Sequence, residues 1–224
     1  MKTLSRLAVA WLCLPVLLPA ATIQFGSDLV DEWNSLTGTN VAIQPHPAWA
    51  TLAPFQWISY ANTGAGFGAI SPPNANSSRT PTASFYELLP AKAQLVRLTV
   101  FADDTAAVYL IDADHPSGLL LASAHWRQDG ACARGPIGCE PGEGLWLEFY
   151  VSRHGPAILR FDVFQRGKGP FGLLYGGEAE MAHSAEAMPL MLVGTGLAWI
   201  LWRRRRRPVP PGVPDRNAFA AASS

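Results

Sequence analysis

The chain has 224 residues, 49% of them hydrophobic and only 15% charged, with a formal net charge of zero. Residues 22–186 hold nine Lys/Arg against sixteen Asp/Glu, a net of −7, and most of the balancing cations sit at the two ends. So acidic a middle argues against nucleic acid as a partner, because neutralising phosphates needs a basic face. The length allows one ordinary domain with appendages.

Residues 1–21 read as a secretory signal peptide. Lys2 and Arg6 form the charged n-region, "LAVAWLCLPVLLPA" supplies the apolar h-region, and Ala20 and Ala21 are small enough for cleavage. An uncleaved membrane anchor is the competing reading. Cys13 lies inside the h-region without the small preceding residue of a lipoprotein signal.

From 41 to 180, short apolar runs alternate with Gly, Pro, Asn and Asp. Strands are expected at "QWISYA" (56–61), "ASFYELL" (83–89), "AQLVRLTVFA" (93–102), "AAVYLIDA" (106–113), "LWLEFYVS" (145–152) and "AILRFDVFQ" (157–165). In "LVRLTVF", Leu95, Arg97, Thr99 and Phe101 share one face, and Val96, Leu98 and Val100 the other. In "ILRFDVF", Arg160 and Asp162 oppose Leu159, Phe161 and Val163. A period of two marks half-buried antiparallel strands. An all-β, antiparallel β-sandwich over residues 22–182 follows, and about 165 residues suffice for one two-sheet core.

Motifs of hydrolases, metalloproteases, P-loops and dinucleotide-binding folds are missing from the sequence. The five histidines (His46, His115, His125, His154, His183) are scattered and read as loop residues. The strongest candidate site is "FADDTAAVYL", where Asp103 and Asp104 fall between two apolar strands. They are read as turn residues that bond their own backbone, with Thr105 assisting, or as hard oxygen ligands for calcium. A double Asp ahead of a strand resembles the calcium-dependent sugar-binding loop of protective-antigen-type lectin modules. A third reading makes the pair an acid and base of a glycan-acting enzyme. "DADH" (112–115) is a second acidic loop or another hairpin turn.

Among the tryptophans of the exported part, Trp57 and Trp146 are expected in the core, because aromatics dominate sandwich interiors through their area. Trp126, in "SAHWRQDGAC", has charged neighbours and is the candidate platform for a sugar ring. Cys132 and Cys139, in "CARGPIGC", are the two cysteines left after signal removal. An even count in an exported chain points to a disulfide; metal binding by the same pair is the alternative.

"MPLMLVGTGLAWILWRRRRR" spans 188–207. A helix over 188–202 would be about 22 Å long, short of a hydrocarbon core of about 30 Å. Arg203, Arg204, Arg205, Arg206 and Arg207 would form a cytoplasmic stop, leaving the preceding domain outside, as the signal peptide also requires. Residues 183–207 are thus expected to form a C-terminal transmembrane helix, and the Pro-rich 208–224 a disordered tail.

A signal, an exported middle, a short apolar helix with "LVGTGLA" and a terminal arginine cluster together resemble a PEP-CTERM protein. The Pro-Glu-Pro signature itself is missing, replaced by "AEAMP", and the chain continues past the arginines. The resemblance implies sorting by an exosortase-like membrane protease, at the bacterial inner membrane or cell surface, in a setting of extracellular polysaccharide. "PHPAWA…WISYANTG", "FYELL", "LTVFADDTAAVYL", "CARGPIGC" and "VFQRGKGPFGLLYGG" follow in an order that resembles galactose-binding-like jelly-roll domains of such proteins. That likeness implies a fold and a surface setting, not an activity. The expected function is a non-catalytic binding or structural module of the cell envelope or matrix, with polysaccharide as ligand. The alternatives are a glycan-acting enzyme using Asp103 and Asp104 and a membrane-tethered protein-interaction domain.

Overall fold

A computed structural model describes residues 20–62, 69–70, 80–127, 132–165 and 169–182. The expected signal peptide up to residue 19, the expected C-terminal helix with Arg203–Arg207 and the Pro-rich tail lie outside the described residues. Among the described residues there is no helix, hence none long and apolar enough to cross a membrane.

The strands are β1 (Thr22–Gly26), β2 (Glu32–Asn34), β3 (Val41–Ala42), β4 (Ile58–Ser59), β5 (Ala69–Ile70) and β6 (Ala83–Leu88). There follow β7 (Ala93–Asp103), β8 (Thr105–Ile111), β9 (Leu119–Ala122), β10 (Leu145–Tyr150), β11 (Ile158–Phe164) and β12 (Pro170–Met181). They form two antiparallel sheets, as the alternation predicts. The first runs β10-β7-β12-β4-β3, with β1 and β5 also on β12; the second runs β2-β6-β11-β8-β9.

Period-two alternation sends one set of side chains inward. Val96, Leu98 and Val100 of β7, Phe171, Leu173 and Tyr175 of β12, Phe85 of β6 and Phe161 of β11 meet in a single core between the sheets. The Phe161 and Tyr175 rings stack at 4.4 Å across it. A fully buried side chain of this size contributes about 1.5–3 kcal/mol, and the sandwich rests on many of them.

A second apolar cluster covers part of the outer face of the first sheet. Phe101 and Leu174, on that outer face, pack with Ile43, Trp49, Trp57 and the two cysteines. The Trp49 and Trp57 rings lie 4.2 Å apart, and the Trp57 indole N–H donates to the Ala50 carbonyl at 2.8 Å. Gly172 makes room: a Cβ there would meet Ile43, Trp57 and Trp49 at 3.0–3.3 Å.

Two sequence expectations change. Trp57 is buried as expected, but Trp146 is 59% exposed. In β10 it is Leu145, Leu147 and Phe149 that pack on the core, and Trp146, Glu148 and Tyr150 point outward. Nor do Asp103 and Asp104 form a hairpin turn, because β7 and β8 belong to different sheets. The chain crosses from one sheet to the other at Asp104.

Candidate functional site

Asp103 ends β7 opposite Gly172, and Asp104 alone separates it from β8. The peptide bond between them is cis. Three backbone hydrogen bonds fix the crossing. The Asp104 N–H donates to the Phe164 carbonyl at 3.1 Å, the Ala133 N–H to the Asp104 carbonyl at 3.0 Å, and the Ala102 N–H to the Gly138 carbonyl at 3.0 Å. The last two dock the cysteine loop on the crossing.

Both carboxylates are taken out of water, Asp103 being 2% and Asp104 4% exposed. Burial, the neighbouring Asp104 charge and a hydrogen bond to Asp104 raise the Asp103 carboxyl well above its ordinary value, against a hydrogen bond from the Trp49 side chain. Asp103 Oδ1 is buried without a hydrogen-bond partner, and so is Gln165 Oε1, one residue beyond the Phe164 carbonyl that Asp104 engages. Two such oxygens at one end of a sandwich are costly unless something fills their lone pairs.

Thr105 is fully buried, and its Oγ1 accepts the His125 N–H at 3.0 Å. That bond carries the neighbouring Trp126 to the same end of the sandwich. The Trp126 ring packs edge-on against Phe164 at 5.0 Å and stays 37% exposed. Cys132 and Cys139 form a disulfide with Cα atoms 5.9 Å apart, so the two cysteines are bonded to each other. The Cys139 carbonyl accepts the Ala50 N–H at 2.7 Å, and Glu143 Oε2 accepts the Glu140 N–H at 2.8 Å. The structure thus brings Asp103, Asp104, Trp126 and the disulfide into one loop cluster.

"DADH" proves to be turn chemistry between β8 and β9. Asp112 Oδ1 accepts the Asp114 and His115 N–H groups at 3.1 and 2.9 Å, and Oδ2 accepts the Ser152 N–H at 3.0 Å. Burial opposes the charged carboxylate, but the Ser152 and His115 hydrogen bonds outweigh it and hold Asp112 below its ordinary value.

A further cluster went unread in the sequence. Tyr175 Oη lies 2.7 Å from Glu32 Oε2 and 2.9 Å from Glu87 Oε2, with Glu87 3% exposed. Burial and the Glu32, Asp28 and Asp31 charges push the Glu87 carboxyl up to about 9, against its hydrogen bond with Tyr175. Burial also raises Glu32 and Tyr175. The available signal was parity: in "ASFYEL" Glu87 shares a face with Ala83 and Phe85, the buried one.

No model of a known family and no curated protein matches the chain. Among solved structures it is similar to a family 35 carbohydrate binding module from Clostridium thermocellum, with 9% identity and a TM-score of 0.33, over 71% of this chain and 98% of that one. It is also similar to the K1 cleaved adhesin domain of Lys-gingipain from Porphyromonas gingivalis W83, with 13% identity and a TM-score of 0.34, over 75% of this chain and 94% of that one.

Proposed function

We propose that the chain is an exported, non-catalytic binding or structural module of a bacterial envelope or matrix, ordered by calcium at Asp103 and Asp104. Polysaccharide is its ligand class, and its C-terminal segment sorts or anchors it by a PEP-CTERM-like route. One observation carries the calcium reading: two touching carboxylates closed off from water, with Asp103 Oδ1 lacking a partner. A hard divalent cation answers that arrangement, because it takes oxygen ligands and relieves the repulsion of paired charges. Gln165 Oε1 offers a neutral oxygen at the same end.

The same burial argues against the glycan-acting alternative. A catalytic acid must come within hydrogen-bond reach of the glycosidic oxygen, and neither carboxylate opens to solvent. It equally favours a structural ion over one that bridges to sugar. The test is thermal unfolding of the full-length protein in detergent, with excess calcium and then with chelator. Calcium at about 100 times its Kd should raise Tm by about 5–10 °C in the wild type and leave an Asp103→Asn, Asp104→Asn double variant unmoved. A wild type indifferent to calcium refutes the ion.

A further inference from the structure

Away from the second apolar cluster, the outer face of the first sheet lies open, and its cross-strand register assembles an unusual surface. One row runs Trp146, Thr99, Gly176 across β10, β7 and β12; the next runs Glu148, Arg97, Glu178 and on to Gln24 of β1. A third pairs Tyr150 with Leu95 and Leu95 with Glu180. Trp146 and Tyr150 are 59% and 74% exposed on the same side of the edge strand. Three residues lie between them, and four rises of strand set them about 14 Å apart, a span longer than one sugar ring.

Arg97 sits at the centre and is paired with all three glutamates of this face. Its Nε donates to Glu148 Oε2 at 2.8 Å, and its Nη1 donates to Glu178 Oε1 and Glu180 Oε1 at 3.2 and 2.6 Å. One cation thereby holds three carboxylates in fixed positions, with oxygens left to accept further hydrogen bonds. On the far side Phe55 lies over Gly176 and Gly26, where any Cβ would strike its ring. Between Phe55 and Trp146 runs a groove of about 270 Å³ with Gln24, Thr99, Arg97 and Glu178 along it.

We infer that this groove and the adjoining edge of β10 form a carbohydrate-binding site for an uncharged polysaccharide chain, with Trp146 in the groove and Tyr150 beyond it on the same strand as stacking platforms. A sugar ring has apolar C–H faces and a rim of hydroxyls. Aromatic walls on either side of fixed carboxylates, an amide and a hydroxyl match both features. Exposed aromatic patches on a soluble surface mark binding sites. Charge selects the occupant: three carboxylates against one guanidinium leave the face at −2, which repels uronic-acid polymers and anionic lipid surfaces. The second sheet has outward aromatics too, but each of them already has a partner. Trp33 stacks on Tyr86 at 5.2 Å, and Arg160 covers the Tyr109 ring at 4.1 Å.

This inference rests on the polysaccharide reading above and relocates the contact from Trp126 to the sheet face. Its test is affinity electrophoresis of the full-length protein in detergent, in native gels containing galactomannan, xyloglucan, pectate or alginate. Retardation of the wild type by an uncharged polymer and not by the acidic ones is expected. Trp146→Ala should weaken it at least about tenfold, Tyr150→Ala should weaken it less, and Trp126→Ala should leave it intact. Tm of each variant checks folding, and Tyr150→Ala serves if Trp146→Ala is unfolded. Retention in Trp146→Ala and Tyr150→Ala with loss in Trp126→Ala overturns the groove and spares the polysaccharide reading. Retardation by acidic polymers alone overturns the proposed occupant. A wild type retarded by none overturns both.

Discussion

Replacing Glu87 by Gln tests the buried carboxyl cluster, and its outcome follows from counting protons. Tyr175 Oη has one hydrogen and lies within hydrogen-bond distance of both Glu32 Oε2 and Glu87 Oε2. If Tyr175 donates to Glu32, the bond to Glu87 requires a proton on Glu87, and the chain runs Glu87 O–H to Tyr175 O–H to the Glu32 carboxylate. A Glu87 carboxyl raised from 4.5 to about 9 agrees with that count. The unfolded chain ionises Glu87 near pH 4.5, whereas the folded chain keeps the proton to about pH 9. Between those values the folded state binds more protons, so stability is full below pH 4.5 and falls as pH rises through 9. Each pKa unit is worth about 1.4 kcal/mol, so the loss has a ceiling of about 6 kcal/mol across the window. Gln in place of Glu87 keeps a donor for Tyr175 Oη and has nothing to ionise. Glu87→Gln should therefore be at least about 1 kcal/mol more stable than wild type at pH 8, a gain of roughly 2–4 °C in Tm. Denaturant unfolding at pH 5, 6, 7, 8 and 9 measures both chains, and the variant's profile should be much the flatter. A variant with the wild-type slope, or one destabilised at pH 8, would refute the proton on Glu87.

Two further outcomes follow from packing. A Cβ on Gly177 would strike the Arg97 backbone carbonyl, whereas one on Gly176 would strike the partly exposed Phe55 ring. A ring can swing and a paired strand cannot, so Gly177→Ala should cost more than Gly176→Ala, with the latter at about 1–3 kcal/mol; urea midpoints in the reverse order would contradict this. Cys132→Ser with Cys139→Ser removes a cross-link of sequence separation seven and should cost about 2.5 kcal/mol in the chain-entropy model, read as a Tm drop that reductant reproduces in the wild type and not in the variant.

How far the sequence reveals this fold depends on how each strand uses its two faces. β7 and β11 were legible because polar and apolar residues alternate in both, and the disulfide was legible from its even count in a chain expected to be exported. β12, the central partner of β7, β1 and β4, was not expected as a strand. Its outward positions include Gly172 and Gly176, and a glycine-rich run reads as loop unless one knows that Trp49, Trp57 and Phe55 press on it. In "LWLEFY" both faces carry large aromatic or aliphatic side chains, which hides the buried one. Glu148 shares its parity with Trp146 and Tyr150 and was the clue that those rings face water. Asp103 and Asp104 could be located but not interpreted, because nothing local says that the next strand joins the other sheet.

The outward residues of β12 explain why one sheet face carries both a second core and an open groove. In order they are Gly172, Leu174, Gly176, Glu178 and Glu180, and their partners on β7 are Asp103, Phe101, Thr99, Arg97 and Leu95. At the first end, glycine and leucine beside Phe101 accept the Trp49 and Trp57 rings, and the covering segment and disulfide loop seal Asp103 beneath them. At the other, Arg97 and the glutamates would be buried at high cost under any such cover, so the covering chain ends at Phe55 over Gly176. The boundary is thus set by where charge begins on the sheet. Replacing Glu178 and Arg97 together with apolar residues would remove the charge that sets this boundary and leave Gln24 and Thr99 as the groove's polar lining.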